Sequence, residues 1–98
     1  MSYLSELIIE IIKNIPEGKV LTYGEVAARA GSPMSARLVS NLLHSCSDKY
    51  GLPWHRVINS KGKISLTGII GEEQRILLIM EGVEFKNGTV DLVKYLQA

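Results

Sequence analysis

The sequence is poor in the residues that stabilise small proteins through disulfides or metals, since it has one cysteine and two histidines. A single cysteine excludes a disulfide within the chain, and one cysteine with two histidines falls short of the usual structural zinc set. There is also no basic segment followed by an apolar run and a small-residue cleavage site, and no apolar stretch long enough to span a membrane. We therefore expect a cytoplasmic protein with no metal, no cofactor and no membrane contact.

Signs of disorder are also scarce. The 98 residues include only three prolines and nine glycines, and the hydrophobic share of 46% and charged share of 21% are ordinary for a folded protein. A chain this short lies near the lower limit for burying a self-sufficient core, which leaves no room for a second domain. We expect residues 1–98 to form one domain and to act as a monomer.

The charge is unevenly distributed along the chain. The net charge is +1, but residues 19–63 carry seven basic against two acidic residues, whereas the segments on either side are each net acidic. A basic block of this kind favours a polyanionic partner contacted by one face of the protein. A solvated surface with a chance imbalance explains the same numbers equally well, so the charge alone does not decide between them.

Three helices are predicted in the first half of the chain. An amphipathic helix ends at Pro16–Gly18, and its apolar residues recur at helical spacing: Leu4, Leu7, Ile8, Ile11, Ile12 and Ile15. Thr22 and Glu25 form a capping-box pattern that begins a second helix, which Gly31 closes. Ser32 and Pro33 fit the N-cap and first position of a third helix that extends to about Ser45. Two short helices joined by a tight turn predict a helix-turn-helix motif.

The second half of the chain mixes loops with shorter elements. Residues 47–53 have turn-forming composition and predict a surface loop. Val57-Ile58 and Ile64 flank a basic turn, which predicts a small two-stranded wing. A helix is expected from Gly71 to Glu81, stopped by Gly82, and a short one after Asp91. The predicted fold is mainly α, a winged helix-turn-helix DNA-binding domain with a small β wing.

The outward face of the predicted third helix is small and polar, with one arginine. Its members are Ser35, Ala36, Arg37, Ser40, Asn41 and His44. Small side chains let a helix backbone approach a groove wall closely, and among Ser35, Ala36, Ser40 and Asn41 only Asn41 is a bidentate reader of bases. This composition predicts docking to nucleic acid without strong sequence preference.

Three segments in order carry a family resemblance: Gly18-Lys19-Val20-x-Thr22-Tyr23-Gly24, Ser35-Ala36-Arg37 and Pro53-Trp54-His55-Arg56-Val57-Ile58. Together they resemble the DNA-binding domain of the O6-alkylguanine-DNA alkyltransferases, whose signature is Pro-Cys-His-Arg-Val. In this sequence Trp54 stands where that family has its alkyl-accepting cysteine. The chain is therefore similar to the alkyltransferase-like proteins, which keep the DNA-binding apparatus and lack the acceptor.

The resemblance implies a role for each matching residue. Arg37 matches the arginine that enters the duplex and fills the gap left by a rotated base, and Tyr23 matches the tyrosine that presses on the phosphate 3′ to the lesion. The resemblance also implies that the third helix is the recognition helix and docks in the minor groove. The DNA-binding residues are then Tyr23, Arg37 and the small residues of the helix face, Ser35, Ala36, Ser40 and Asn41. Without the resemblance, a solvated Arg37 and a core-packing Tyr23 are the better interpretations.

The chemistry of the acceptor position argues against catalysis. Alkyl transfer requires a thiolate, and an indole is a far poorer nucleophile. Trp54 instead offers a flat apolar surface for an alkylated base, in a lesion pocket with Tyr23 and Val57. His55 and Glu81 match the pair that activates the family's cysteine, and without that cysteine we expect them to be vestigial and structural. Cys46, the only thiol, is expected to be structural as well.

The sequence therefore predicts a non-enzymatic protein that binds O6-alkylguanine lesions in double-stranded DNA and flips the altered base. The resemblance further implies that the complex blocks alkyltransferase and directs the lesion to nucleotide excision repair proteins. One alternative is a helix-turn-helix transcription regulator without lesion specificity. Another is residual alkyltransferase or glycosylase-like activity through His55, Glu81 or Cys46.

Overall fold

The computed structural model describes all of residues 1–98 and is mainly helical. The five α-helices are α1 (Tyr3–Lys13), α2 (Tyr23–Arg29), α3 (Ala36–Tyr50), α4 (Gly68–Met80) and α5 (Leu92–Tyr95). The strands are β1 (Leu21–Thr22), β2 (Val57–Ile58), β3 (Phe85–Lys86) and β4 (Thr89–Val90), and a short 3₁₀ helix spans Trp54–Arg56. None of the helices combines the length and apolar character that crossing a membrane requires.

Helix α1 forms as the apolar spacing predicts, but it ends at Lys13, before the predicted stop at Pro16–Gly18. Ile15 therefore lies beyond the helix, although it is buried in the main core. The Ser2 hydroxyl accepts a hydrogen bond from the Ser5 amide at 3.1 Å and caps the helix. Ile8 and Ile12 are fully buried and pack in the main core with residues of α2 and α3. This core supports the helix-turn-helix motif, so α1 holds α2 and α3 in place.

Helix α2 begins at its predicted cap, but only half of the capping box is made. The Thr22 hydroxyl accepts from the Glu25 amide at 3.0 Å. The Glu25 carboxylate does not reach back to Thr22 and instead accepts from Arg29 Nε at 3.2 Å, one turn along the helix. Gly31, at φ +85°, ends the helix as predicted, because a left-handed conformation is strained for residues with a Cβ.

Helix α3 begins later and ends later than the sequence predicts. The predicted start at Pro33 is wrong because Ser32 and Ser35 close a separate turn, with the Ser35 amide donating to the Ser32 carbonyl at 2.9 Å. The predicted end near Ser45 and loop from Ser47 are also wrong, since the helix continues to Tyr50 and stops at Gly51, at φ +60°. Tyr50 packs against the main core, and this burial extends the helix through a polar segment.

The small β structure is arranged differently from the predicted wing. Strand β2 pairs in parallel with β1, with Val57 opposite Leu21, and not with the segment around Ile64. Residues 59–63 form a tight turn in which Asn59 Oδ1 accepts from the amides of residues 61 and 63. The antiparallel hairpin is β3–β4, joined by Asn87-Gly88, a dipeptide typical of tight hairpins. The mainly α helix-turn-helix fold with a small β part is confirmed.

Helix α4 begins at Gly68, three residues before the predicted start, and Gly82 ends it as predicted. Its buried side is Gly71, Gln74 and Leu78, whereas Ile76, Ile79 and Met80 are exposed. The predicted cap of the last helix is confirmed, because Asp91 accepts from the Val93 amide at 3.0 Å. A second core cluster, which includes Leu78, Val83, Val90 and Tyr95, joins α4, the hairpin and α5.

Candidate nucleic-acid interface

The outward face of α3 carries the predicted polar residues. Arg37, Ser40 and Asn41 are exposed, and Ser35 and Ala36 are half-buried at the start of the helix. The Arg37 side chain makes no hydrogen bond or ion pair with the rest of the protein. An unpartnered guanidinium on a face of small side chains is free to contact an anion or to stack on a base.

A cleft of about 820 Å³ lies along α3. Its apolar lining comes from five parts of the chain: Tyr23 of α2, Leu43 of α3, Trp54 of the 3₁₀ helix, Leu66 of the loop before α4, and Ile70 of the first turn of α4. The polar lining comes from α3: Ser40, Asn41, His44, Ser45, Ser47 and Asp48. The cleft therefore joins the outward face of α3 to an apolar interior large enough for a planar base.

The structure brings two of the three predicted pocket residues together. Tyr23 and Trp54 both line the cleft, and the Tyr23 hydroxyl lies 3.4 Å from Ser65 Oγ in the loop before α4. Val57, the third, does not line the cleft: it lies in β2, is 1% exposed and packs in the main core. Alternation along β2 did not reveal this, because both of its residues are buried.

Sequence reasoning missed the apolar wall formed by Leu66 and Ile70. Both residues are partly exposed, and they reach the cleft because α4 begins three residues earlier than expected. Leu66 lies close to α4 because Gly71 leaves no side chain there, and a Cβ on Gly71 would fall 2.2 Å from the Leu66 carbonyl oxygen. A glycine at position 71, five residues after Leu66, is the sequence feature that could have predicted this close approach of the loop to α4.

Trp54 is held by the geometry of the 3₁₀ helix. Its amide donates to the Leu52 carbonyl at 2.8 Å, and the Arg56 amide donates to the Pro53 carbonyl at 3.0 Å. The indole is half-buried and meets the His55 ring edge to face, with centroids 6.2 Å apart. One side of Trp54 therefore rests on the protein while the residue lines the cleft.

Glu81, just after α4, binds the segments that surround the 3₁₀ helix. Its carboxylate lies 2.6 Å from His55 Nε2, accepts from Arg56 at 2.8 Å and accepts from the Gly18 amide at 2.9 Å. Arg56 also donates to the Ile15 carbonyl at 2.8 Å. One carboxylate thus joins the end of α4, the 3₁₀ helix and the turn after α1.

These contacts set the ionisation of Glu81. Burial opposes the charged form, but the hydrogen bonds from Arg56, the Gly18 amide and His55 outweigh it and lower the pKa of Glu81 to about 2. A carboxylate that is ionised and fully engaged is a structural anchor, and His55 points at it. The Glu81 contacts therefore hold the 3₁₀ helix in place.

No thiol lines the cleft. Cys46 is half-buried on α3, packs against the main core, and lies 3.5 Å from Ser45 Oγ. No group of three or more histidine, cysteine, aspartate or glutamate side chains is arranged to hold a metal ion.

Comparisons with known proteins identify the family. The family model for the DNA-binding domain of 6-O-methylguanine DNA methyltransferase matches residues 4–83. The chain belongs to this family. Within it, the chain is 48% identical over 87 residues to the DNA base-flipping protein of Escherichia coli, covering 88% of this chain and 67% of that protein. It is 44% identical over 79 residues to Alkyltransferase-like protein 1 of Schizosaccharomyces pombe, covering 79% and 73% of the two chains.

A solved member of the family has the same fold throughout. The crystal structure of S. pombe Atl1 in complex with damaged DNA containing O6-carboxymethylguanine matches with a TM-score of 0.86 at 34% sequence identity. The match covers 100% of this chain and 97% of that one. The alkyltransferase-family fold therefore extends over all five helices, including α5 and the β3–β4 hairpin that lie beyond the residues of the family model.

Proposed function

We propose that this alkyltransferase-family domain recognises O6-alkylguanine in duplex DNA by flipping the altered base into the cleft beside Trp54, without chemistry. The observation that carries the proposal is the cleft itself. It adjoins the exposed face of α3, it is walled by an indole, and no thiol lines it. A flipped base needs a pocket with a flat apolar wall and polar groups nearby, and the cleft offers both.

Arg37 and Tyr23 have complementary duties in this proposal. Arg37, exposed and unpartnered on the first turn of α3, enters the duplex and occupies the gap left by the rotated base, where its planar guanidinium stacks and donates hydrogen bonds. Tyr23 lines the cleft and contacts the phosphate next to the lesion. Ser35, Ala36, Ser40 and Asn41 allow α3 to approach the minor groove closely.

The absence of chemistry follows from the residues at the cleft. Trp54 occupies the position that holds the acceptor cysteine in the alkyltransferases. An indole does not replace the thiolate as alkyl acceptor, because it is a far poorer nucleophile. His55 and Glu81 hydrogen-bond each other, and Glu81 is further engaged by Arg56 and Gly18. These residues hold the 3₁₀ helix in place and have no proton to remove from a nucleophile.

The named relatives support this proposal. The E. coli relative is a DNA base-flipping protein, and the S. pombe structure holds damaged DNA containing O6-carboxymethylguanine. From the family resemblance we also propose that the complex shields the lesion from alkyltransferase and directs it to nucleotide excision repair proteins. We further propose that the domain acts as a monomer.

An affinity comparison tests the proposal. Equilibrium binding is measured for duplexes with O6-methylguanine or guanine at one position, each in several flanking sequences at a stated salt concentration. The proposal predicts tighter binding to every lesion-bearing duplex, with little effect of the flanking sequence. Affinity that follows the flanking sequence and ignores the lesion would instead identify a helix-turn-helix transcription regulator.

A further inference from the structure

Gln74 is a buried polar residue that the proposed function does not use. It lies on the inner side of α4, is 1% exposed, and is one of only two polar residues in the protein that are buried. Its Nε2 donates to the His55 carbonyl at 3.2 Å and to the Val57 carbonyl at 2.9 Å. Both acceptors are backbone atoms of the segment that carries Trp54.

The amide is used as a donor only. Gln74 Oε1 is buried and has no hydrogen-bond partner, which is unfavourable for a polar oxygen in a protein interior. The orientation is fixed, because a flipped amide would place this oxygen against two carbonyl oxygens. The only hydrogen bonds that the Gln74 side chain makes are therefore the two that its amide nitrogen donates.

Those contacts link the two walls of the cleft. The bonds to His55 and Val57 tie the 3₁₀ helix to α4, and Ile70 lies one helical turn before Gln74 on α4. Trp54 of the 3₁₀ helix and Ile70 of α4 both line the cleft. The Glu81 contacts hold His55 and Arg56 of the same 3₁₀ helix, and they act on side chains where Gln74 acts on the backbone.

We propose that Gln74 is the positioning residue that fixes Trp54 against α4 and so sets the width of the cleft for an extruded base. The part of this inference that concerns DNA rests on the proposed function. The part that concerns the placement of Trp54 does not.

Three variants separate the donor role from simple packing. Gln74→Met keeps the length of the side chain and removes both donors. Gln74→Leu also removes both donors with a side chain of different shape, and neither variant buries a charge at a position that is 1% exposed. Gln97→Met makes the same chemical change at a residue near the C-terminus that donates to the Asn14 carbonyl and does not line the cleft.

The first readout needs no DNA, because Trp54 is the only tryptophan. We expect Gln74→Met to shift the tryptophan emission to the red and to increase its quenching by acrylamide, since the indole is released from α4. Gln74→Leu should show the same change, and Gln97→Met should retain the wild-type spectrum. If Gln74→Met is unfolded by circular dichroism, Gln74→Leu, which also lacks the donors and buries no charge, is measured in its place against the same criteria.

The second readout is the ratio of affinities for duplexes with O6-methylguanine and guanine. We expect the donor-free variant to lose about tenfold of this ratio, the scale of one lost buried hydrogen bond, while its affinity for unmodified DNA changes little. Wild-type emission and an unchanged ratio in a folded donor-free variant would overturn the proposal, as would changes in only one of Gln74→Met and Gln74→Leu when both are folded. A wild-type protein with no lesion preference would refute the proposed function and leave the emission result to decide the role of Gln74.

Discussion

At the scale of single residues, Arg37 and Glu81 show opposite uses of charge. Arg37 is exposed and has no partner within the protein, so its charge is available to a ligand. Glu81 has nearly all of its hydrogen-bonding capacity occupied by His55, Arg56 and Gly18, so its charge serves the fold. Substitution of the first should affect binding, and substitution of the second should affect stability.

Substitution of Arg37 tests its proposed entry into the duplex. We expect Arg37→Ala to weaken binding to a lesion-bearing duplex by about 1–3 kcal/mol, the scale of a lost stacking and hydrogen-bonding group at an unstacked step. Binding to unmodified DNA should fall less. Arg37→Lys is the matched control, since it keeps the charge and loses the planar stacking surface. Equal losses on both duplexes, with full rescue by lysine, would make Arg37 a phosphate contact only.

The low pKa of Glu81 makes the stability of the protein depend on pH. Folding lowers the pKa from its ordinary value of 4.5 to about 2, so the ionised form is favoured in the folded state. The stabilisation is fully present above pH 4.5 and is lost as the pH falls towards 2, with a size of about 2–3 kcal/mol. Urea unfolding of wild type at a series of pH values should show this decline in the free energy of unfolding.

Glu81→Gln should be less stable than wild type at pH 7 and should lose less stability between pH 4.5 and 2. Glu73→Gln removes an exposed carboxylate of α4 that has no ion pair, and it should keep the wild-type profile. Parallel profiles for wild type and Glu81→Gln would contradict the assigned role of the Glu81 contacts.

At the scale of the elements, glycines decide how close α4 and its loop approach each other. A Cβ on Gly71 would lie 2.2 Å from the Leu66 carbonyl oxygen, whereas one on Gly24, within α2, would meet no atom within 4 Å. We expect Gly71→Ala to reduce the free energy of unfolding by about 1–3 kcal/mol through this overlap. Gly24→Ala should increase it by about 0.5–1 kcal/mol because alanine favours the helix. Denaturant unfolding measures both, and an unchanged Gly71→Ala would contradict the tight packing of the loop.

The elements that the sequence predicted well are those with local signals. The isoleucine spacing of α1, the Thr22 cap, the Asp91 cap and the glycines after α2 and α4 act within a few residues, and the structure confirms each of them. The predicted boundaries of α3 are wrong because burial of Tyr50, a tertiary contact, extends the helix through polar residues. The predicted wing is wrong because the partner of β2 is β1, which lies about 36 residues earlier in the sequence.

The parts of the candidate site that lie within one segment of the sequence could be predicted, and the parts that depend on packing between segments could not. The face of α3 and the motif around Trp54 were predicted from the sequence, and Ser40, Asn41 and Trp54 line the cleft. The walls formed by Leu66 and Ile70, and the bonds from Gln74, depend on the packing of α4 against the 3₁₀ helix. No periodic pattern in the sequence encodes that packing, since the residues concerned lie in different elements.

At the scale of the whole molecule, the basic block of residues 19–63 contains α2 and α3, whereas the acidic segments form α1 and the C-terminal third. Only a few of the seven basic residues can face phosphates at once, because Arg29 and Arg56 are engaged within the protein. We expect a plot of log affinity against log salt concentration to have a slope of about −2 to −5. The lesion preference should persist as salt rises, since stacking and hydrogen bonds to the base are not replaced by counterions.

Titration of both duplexes at two salt concentrations checks this expectation. Unmodified DNA provides the internal control, because its affinity reports the phosphate contacts alone. Discrimination that disappears together with affinity would mean that recognition is mainly electrostatic, and the base pocket beside Trp54 would have to be abandoned.

The central claim is recognition of the lesion without chemistry, and mass spectrometry of both components tests it most directly. The protein is incubated with excess duplex containing O6-methylguanine under conditions where the complex forms. The protein and the DNA are then separated, and the mass of each is measured. The account predicts that the complex forms on the lesion-bearing duplex, that the protein mass is unchanged and that the methyl group stays on guanine. A protein heavier by one methyl group, with guanine restored in the DNA, would contradict it and identify Cys46, the only thiol, as the first residue to examine.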